Sequence, residues 1–116
     1  MLSNFLLVGL GGAVGSMLRF AFQKMLNDTF PVGTLLVNVF GCLLIGLLWG
    51  YFAKTNFTLQ LLLVTGFCGG FTTFSAFTQE GVDMLTHQRF LPFILYTGLS
   101  VVAGLAATFA GYKITS

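Results

Sequence analysis

This chain is short of nearly everything a soluble enzyme uses. Its 116 residues include three acidic and five basic side chains, one histidine, two cysteines and two prolines. One histidine and two scattered cysteines fall below the ligand count of an ordinary protein metal centre. No nucleophile–base pair stands out, so an enzyme is the least favoured reading. The net charge of +2 is too small and too dispersed for nucleic-acid binding. No polar linker, low-complexity stretch or long charge run divides the chain, and a single domain over residues 1–116 is expected. No Lys or Arg precedes the first apolar run, which therefore reads as a retained span and not as a secretory leader.

What the chain has instead is apolar length. It is 56% hydrophobic and 7% charged, with a mean hydropathy of +0.94. Soluble domains carry roughly 25% charged residues, so this composition belongs in a bilayer. A helix needs about 20 apolar residues to cross the hydrocarbon core. Four runs qualify, at about 5–22, 32–53, 59–84 and 90–112, joined by short connections over 23–31, 54–58 and 85–89. The expectation is an all-α membrane protein with four transmembrane helices. Cys42 and Cys68 lie inside these runs and read as small buried hydrophobes.

The third run is unlike the others. It contains GFCGGFTTFSAF, Gly66 to Phe77, which crowds three glycines, two threonines, a serine and four phenylalanines into one span. Lipid tolerates no unpaired backbone groups, so a broken helix at membrane depth must line a cavity or lie against protein. Such breaks free carbonyls and N–H groups, which is where membrane proteins hold ions. The third helix is expected to be broken near its middle, around 69–73, with Thr72, Thr73 and Ser75 available to cap a new start. A continuous helix with a glycine face is the alternative. Small residues also recur four apart, in Gly11 with Gly15 and in Cys42, Gly46 and Gly50, a spacing suited to close helix contact.

The charges give almost no orientation. Four spans place Lys54 and Lys113 on one side and Lys24 and Arg89 on the other, with Arg19 one turn inside the first span. Under the positive-inside rule this is near balance. Such a chain can insert either way up, and two inverted copies would then form an antiparallel homodimer, rebuilding the inverted repeat of many transport proteins.

Several side chains in the spans could serve an ion. Phe74 and Phe77 are three apart, hence on one helix face, and aromatic ring edges carry positive charge that favours a small anion. They are lipid-facing or core aromatics on the plainer reading. Ser75 adds a hydroxyl between them. Asn38 sits mid-span, where an amide needs a hydrogen-bond partner; it is either interhelical glue or an anion donor, with Thr34 one turn earlier. Tyr96 and Ser100 are four apart in the fourth span. Arg19 is expected to stretch towards an interface or a water-filled vestibule. Glu80 lies one turn beyond Phe77, either near a pore mouth or as a partner for Arg19 or Lys24.

Together these motifs resemble the small fluoride channels of the Fluc or CrcB family, over essentially the whole chain. The likeness is carried by GGAVGSMLR (Gly11 to Arg19), GTLLVNVFG (Gly33 to Gly41) and GFCGGFTTFSAF (Gly66 to Phe77), in that order. The resemblance implies an antiparallel dual-topology dimer with two fluoride pathways and a structural sodium ion at its centre. It implies passive fluoride export across a plasma membrane, the inner membrane of a bacterium. By motif, Phe74 and Phe77 are similar to the paired pore phenylalanines and Asn38 to the second-span pore amide. Gly69 and Thr72 are similar to the residues whose backbone carbonyls hold sodium, and Arg19 to the vestibule arginine. Tyr96 and Ser100 are similar to fourth-span pore-lining positions. Ala76 departs from the pattern, since family members often carry Thr there, and one hydroxyl of the polar track is missing.

Two other functions fit a chain of this size. A small proton-coupled multidrug exporter would need a titratable carboxylate deep in its chamber, and the first span offers only Arg19. A non-transporting membrane subunit would conduct nothing when purified alone.

Overall fold

The computed structural model describes residues 1–52 and 57–116. The expected end of the second span at Ala53, and Lys54 with its part in the charge balance, lie outside the described residues. Among the described residues the structure is helical, and the only β pairing is an isolated bridge between Asn27 and Pro31. Four helical stretches are long and apolar enough to cross a membrane: Leu2–Leu26, Val32–Phe52, Phe57–Thr86 and Phe90–Thr115. The first runs beyond residue 22, so Gln23 and Lys24 ride on its last turn. The outward faces are apolar, with Phe5, Leu6, Leu10, Phe90, Val102 and Leu105 among the exposed side chains. For a soluble protein that surface would be untenable; in lipid it is the solvated face.

The spans alternate in direction, which the contacts between them record. Along the second and fourth spans, Cys42 meets Gly104, Gly46 meets Thr108 and Gly50 meets Thr115, so the two run parallel. The first and third do likewise, with Gly11 against Leu62 and Gly66, and Gly15 against Phe67 and Phe71. The glycines permit backbone-to-backbone approach: a Cβ at Gly15 would overlap the Phe67 carbonyl, and one at Gly46 the Thr108 carbonyl. Without a hydrophobic drive inside lipid, such close backbone contact is what holds helices together. Hydroxyls fasten the second pair, where Thr108 donates to the Cys42 carbonyl at 3.0 Å and Thr115 to the Leu47 carbonyl at 2.8 Å.

The third span breaks, but not at its glycines. Phe57–Gln60 is α-helical, Leu61–Cys68 winds as a π-helix, and Gly69–Phe71 completes the first half. The stretch before Gly66 is thus partly π-helical. Gly69 itself is helical, with φ −61° and ψ −38°. Only Thr72 and Thr73 leave the helix, both extended, before Phe74–Thr86 begins. The break therefore falls at the far edge of the expected 69–73 window. Gly66 and Gly70 are used for packing instead, their Cα faces against Val8 and Gly12 of the first span. The new helix starts at Phe74, with Thr73 as its cap: Thr73 Oγ1 accepts from the Ala76 N–H at 3.1 Å.

The two ends of the bundle differ. Arg89 donates to the Thr29 carbonyl, which ties the 27–31 and 87–89 connections together at one end. At the other, Trp49 and Tyr112 lie with ring centroids 4.3 Å apart, and Lys113 sits 5.7 Å over the Phe109 ring. Such aromatics belong at a membrane–water interface.

A methyl at a glycine contact should cost far more than a methyl facing outward. Gly15→Ala is expected to destabilise the protein by about 1–3 kcal/mol through overpacking. Gly9→Ala, where a Cβ meets nothing within 4 Å, should be tolerated. Thermal unfolding of both variants in detergent checks the contrast, and equal behaviour would contradict it.

Candidate functional site

The break is built around one amide. Asn38 Oδ1 accepts the Thr73 N–H at 2.7 Å, and Asn38 Nδ2 donates to the Thr73 carbonyl at 3.1 Å. The side chain thus completes the backbone of a residue that the helix has dropped. Both readings of Asn38 meet here, because Nδ2 carries two hydrogens and Thr73 takes one. Asn38 also lines a cavity of 270 Å³, together with Cys42, Thr72, Thr73, Phe74, Phe77, Ser100 and Val101.

Four expected site residues converge on that cavity: Asn38, Phe74, Phe77 and Ser100. The Phe74 and Phe77 rings are neighbours, with centroids 5.8 Å apart. Phe74 is 77% exposed on the chain's outer face, which is costly only if that face meets water. Ser100 Oγ is buried with no hydrogen-bond partner. Thr97 Oγ1, one turn earlier in the fourth span, is in the same state, and buried hydroxyls are seldom left so without a reason.

Ser75 does not join them. One residue along a helix is a turn of about 100°, so Ser75 cannot share the face of Phe74 and Phe77. It lines a second, more polar cavity of 590 Å³ with Arg19, Gln23, Lys24, Asn27, Ala76 and Gln79 among its neighbours. Arg19 lines this cavity, anchored by Nε to the Gly70 carbonyl at 3.1 Å and by Nη1 to Gln23 Oε1 at 3.2 Å. Ala76 presents its methyl to the same space.

Thr34 and Tyr96 line neither cavity. Both are fully buried and converge on Glu80: the Tyr96 hydroxyl donates to Oε1 at 2.8 Å, and the Thr34 hydroxyl to Oε2, also at 2.8 Å. Asn27 Nδ2 donates to the same Oε2 at 3.0 Å. Glu80 is therefore held by neutral donors, and among the described residues it forms no ion pair with Arg19 or Lys24. Tyr96 still borders the aromatic pair, its ring 5.2 Å from that of Phe77. Asn27 and Gln23 were missed in the sequence. Asn27 also caps the second span, its Oδ1 accepting the Thr34 N–H at 3.0 Å, while Gln23 Nε2 donates to Thr34 Oγ1 at 3.0 Å. The one available signal was Gln23 standing four residues after Arg19.

The carbonyls of Gly69 and Thr72 have lost their regular helical donors. In a continuous helix the Gly69 carbonyl would receive the Thr73 N–H, which Asn38 has taken. The Thr72 carbonyl would receive the Ala76 N–H, which Thr73 Oγ1 has taken. Gly69 is exposed and Thr72 half-buried. Uncharged oxygens of this kind suit a small hard cation. Cys68 is fully buried, whereas Cys42 reaches the cavity wall, and both thiols are free.

Fold and site together define a multi-pass integral membrane protein whose interrupted third span holds a small donor-lined cavity at bilayer depth. The sequence profile described as CrcB-like protein, Camphor Resistance (CrcB), matches residues 6–112, and the chain belongs to that family. It is 45% identical to "Fluoride-specific ion channel FluC" of Flavobacterium psychrophilum over 92% of each chain. To "Fluoride-specific ion channel FluC 2" of Rhodococcus jostii it is 48% identical, over 96% of this chain and 97% of the relative. A protein of the first name from Azobacteroides pseudotrichonymphae is 38% identical, over 99% and 98%.

Asn38→Asp keeps an acceptor for the Thr73 N–H but sets an oxygen against the Thr73 carbonyl. Losing the donor and opposing two acceptors should cost about 1–3 kcal/mol. Chemical or thermal unfolding of the purified protein measures it, and an unchanged midpoint would show that the clamp contributes nothing.

Proposed function

We propose that this protein is a fluoride-specific channel that lets the anion leave the cytoplasm passively across a bacterial plasma membrane. The observation that carries the reading is the cavity in which the unpartnered Ser100 hydroxyl and the spare Asn38 N–H stand beside the Phe74 and Phe77 rings. Donors and ring edges offer a small anion several modest contacts and no trap. The printed names of the relatives supply the anion's identity. Arg19 draws anions into the vestibule by its charge, and Ser75 adds a hydroxyl there. Thr34 and Tyr96 act on the route through Glu80 and through the ring contact with Phe77.

The working unit in this reading is an antiparallel homodimer. The cavity opens on the face where Phe74 is exposed, and polar groups such as Asn38 and Ser100 cannot be left facing lipid. A second copy of the chain covers them. The near balance read from the sequence, Lys24, Arg89 and Arg19 against Lys54 and Lys113, permits the two copies to insert in opposite senses. Sodium is the cation that the carbonyls of Gly69 and Thr72 would hold at the dimer centre. When bound it supplies a fixed positive charge that ties two breaks together, and the loss of both carbonyls' helical donors is what supports the assignment.

Fluoride-electrode recording from proteoliposomes tests the reading. Fluoride efflux is expected to exceed chloride efflux by a wide margin, and chloride passing as readily would reject the function. Phe74→Ile and Phe77→Ile should each slow fluoride about ten-fold or more, a barrier rise of about 1.4 kcal/mol, with the protein still folded. Normal transport in both variants would remove the rings from the route.

A further inference from the structure

The two cavities share one wall. Among the described residues, Thr73 is the residue common to the lining of the Phe74–Phe77 cavity and of the Arg19 vestibule. Among the described residues it is also one of two buried polar side chains, with only 9% of its surface exposed. Every polar group it owns is committed. Its N–H and carbonyl are held by Asn38 at 2.7 and 3.1 Å. Its Oγ1 accepts the Ala76 N–H at 3.1 Å and stands 3.3 Å from Ser75 Oγ. What is left without a polar partner is the γ-methyl.

We infer that Thr73 is the partition between the vestibule and the aromatic cavity, and that the bulk of its side chain limits how fast an anion crosses from one to the other. This rests on the channel reading given above, and it assigns Thr73 a rate-setting position that a helix cap alone does not have. The hydroxyl oxygen already accepts the Ala76 N–H and lies beside Ser75 Oγ, so the inference concerns the bulk of the side chain and not its hydroxyl. The backbone is pinned by Asn38, so the wall does not yield by moving the chain. A passing anion must therefore squeeze past a fixed, branched side chain, where pore width governs passage.

Two substitutions separate bulk from capping. Thr73→Ser retains the oxygen that caps the helix and removes only the methyl. Thr73→Val retains the bulk and removes the cap. Fluoride efflux from proteoliposomes is measured for both beside the unaltered protein, with chloride efflux as the selectivity readout. The partition predicts that Thr73→Ser runs faster by about four-fold, equivalent to about 0.8 kcal/mol of barrier, with a raised chloride leak. Thr73→Val should keep the unaltered ratio of fluoride to chloride efflux, although less stable for want of its cap. A residue that only caps gives the opposite order: Thr73→Ser unchanged and Thr73→Val slowed. Efflux through Thr73→Ser that is equal to or below that of the unaltered protein overturns the partition, even if Thr73→Val fails to fold. An unaltered protein that passes no fluoride overturns this inference and the channel reading together, whereas a conducting one with an unaffected serine variant overturns only the former.

Discussion

A helix cannot be interrupted inside a bilayer unless something other than water satisfies the exposed backbone, and here that something is the Asn38 amide. Its two hydrogen bonds to Thr73 replace one residue's worth of helical ladder. Everything near the break follows from that substitution. Because Asn38 takes the Thr73 N–H, the Gly69 carbonyl is set loose. Because Thr73 is turned out of the helix, its hydroxyl can cap the next one and Phe74 becomes the first residue of a fresh turn. The same amide lines the cavity, so one side chain both satisfies the break and borders the space beside it.

A second polar centre lies about two turns further along the third span, at Glu80. Three donors from three different segments, Asn27, Thr34 and Tyr96, meet on its two oxygens. A carboxylate at this depth is expensive unless well hydrogen-bonded, so the cluster locks the end of the first span, the start of the second, the later half of the third and the fourth into one arrangement. Tyr96 then carries that order to the aromatic pair through its contact with Phe77. Phe77 thus stands between the buried polar network and Phe74.

Much of this was legible in the chain before any coordinates. Apolar length marked four spans, and small residues at four-residue spacing marked the close contacts at Gly11, Gly15, Gly46 and Gly50. The mid-span amide Asn38, Ser100 and the three-residue step between Phe74 and Phe77 were visible in the sequence, and the structure sets these four residues around one cavity, whereas Tyr96 turns to Glu80. What stayed hidden needs a partner from elsewhere in the sequence. Nothing local says that Gly69 and Gly70 remain helical while Thr72 and Thr73 do not, since the choice is made by Asn38 more than thirty residues away. Ser75 was placed on the wrong face because its hydroxyl was weighed and its angle around the helix was not. Asn27 reads as a loop residue, and only the folded chain brings it to Thr34 and Glu80.

The central claim is that the spare N–H of Asn38 faces an anion in the aromatic cavity. Nuclear magnetic resonance of the Asn38 side-chain amide, labelled with nitrogen-15 in lipid, addresses it directly. Titration with fluoride should shift one of the two amide protons strongly and leave the other, bonded to Thr73, nearly still, while chloride at the same concentration moves neither. Identical spectra with and without fluoride would contradict the account.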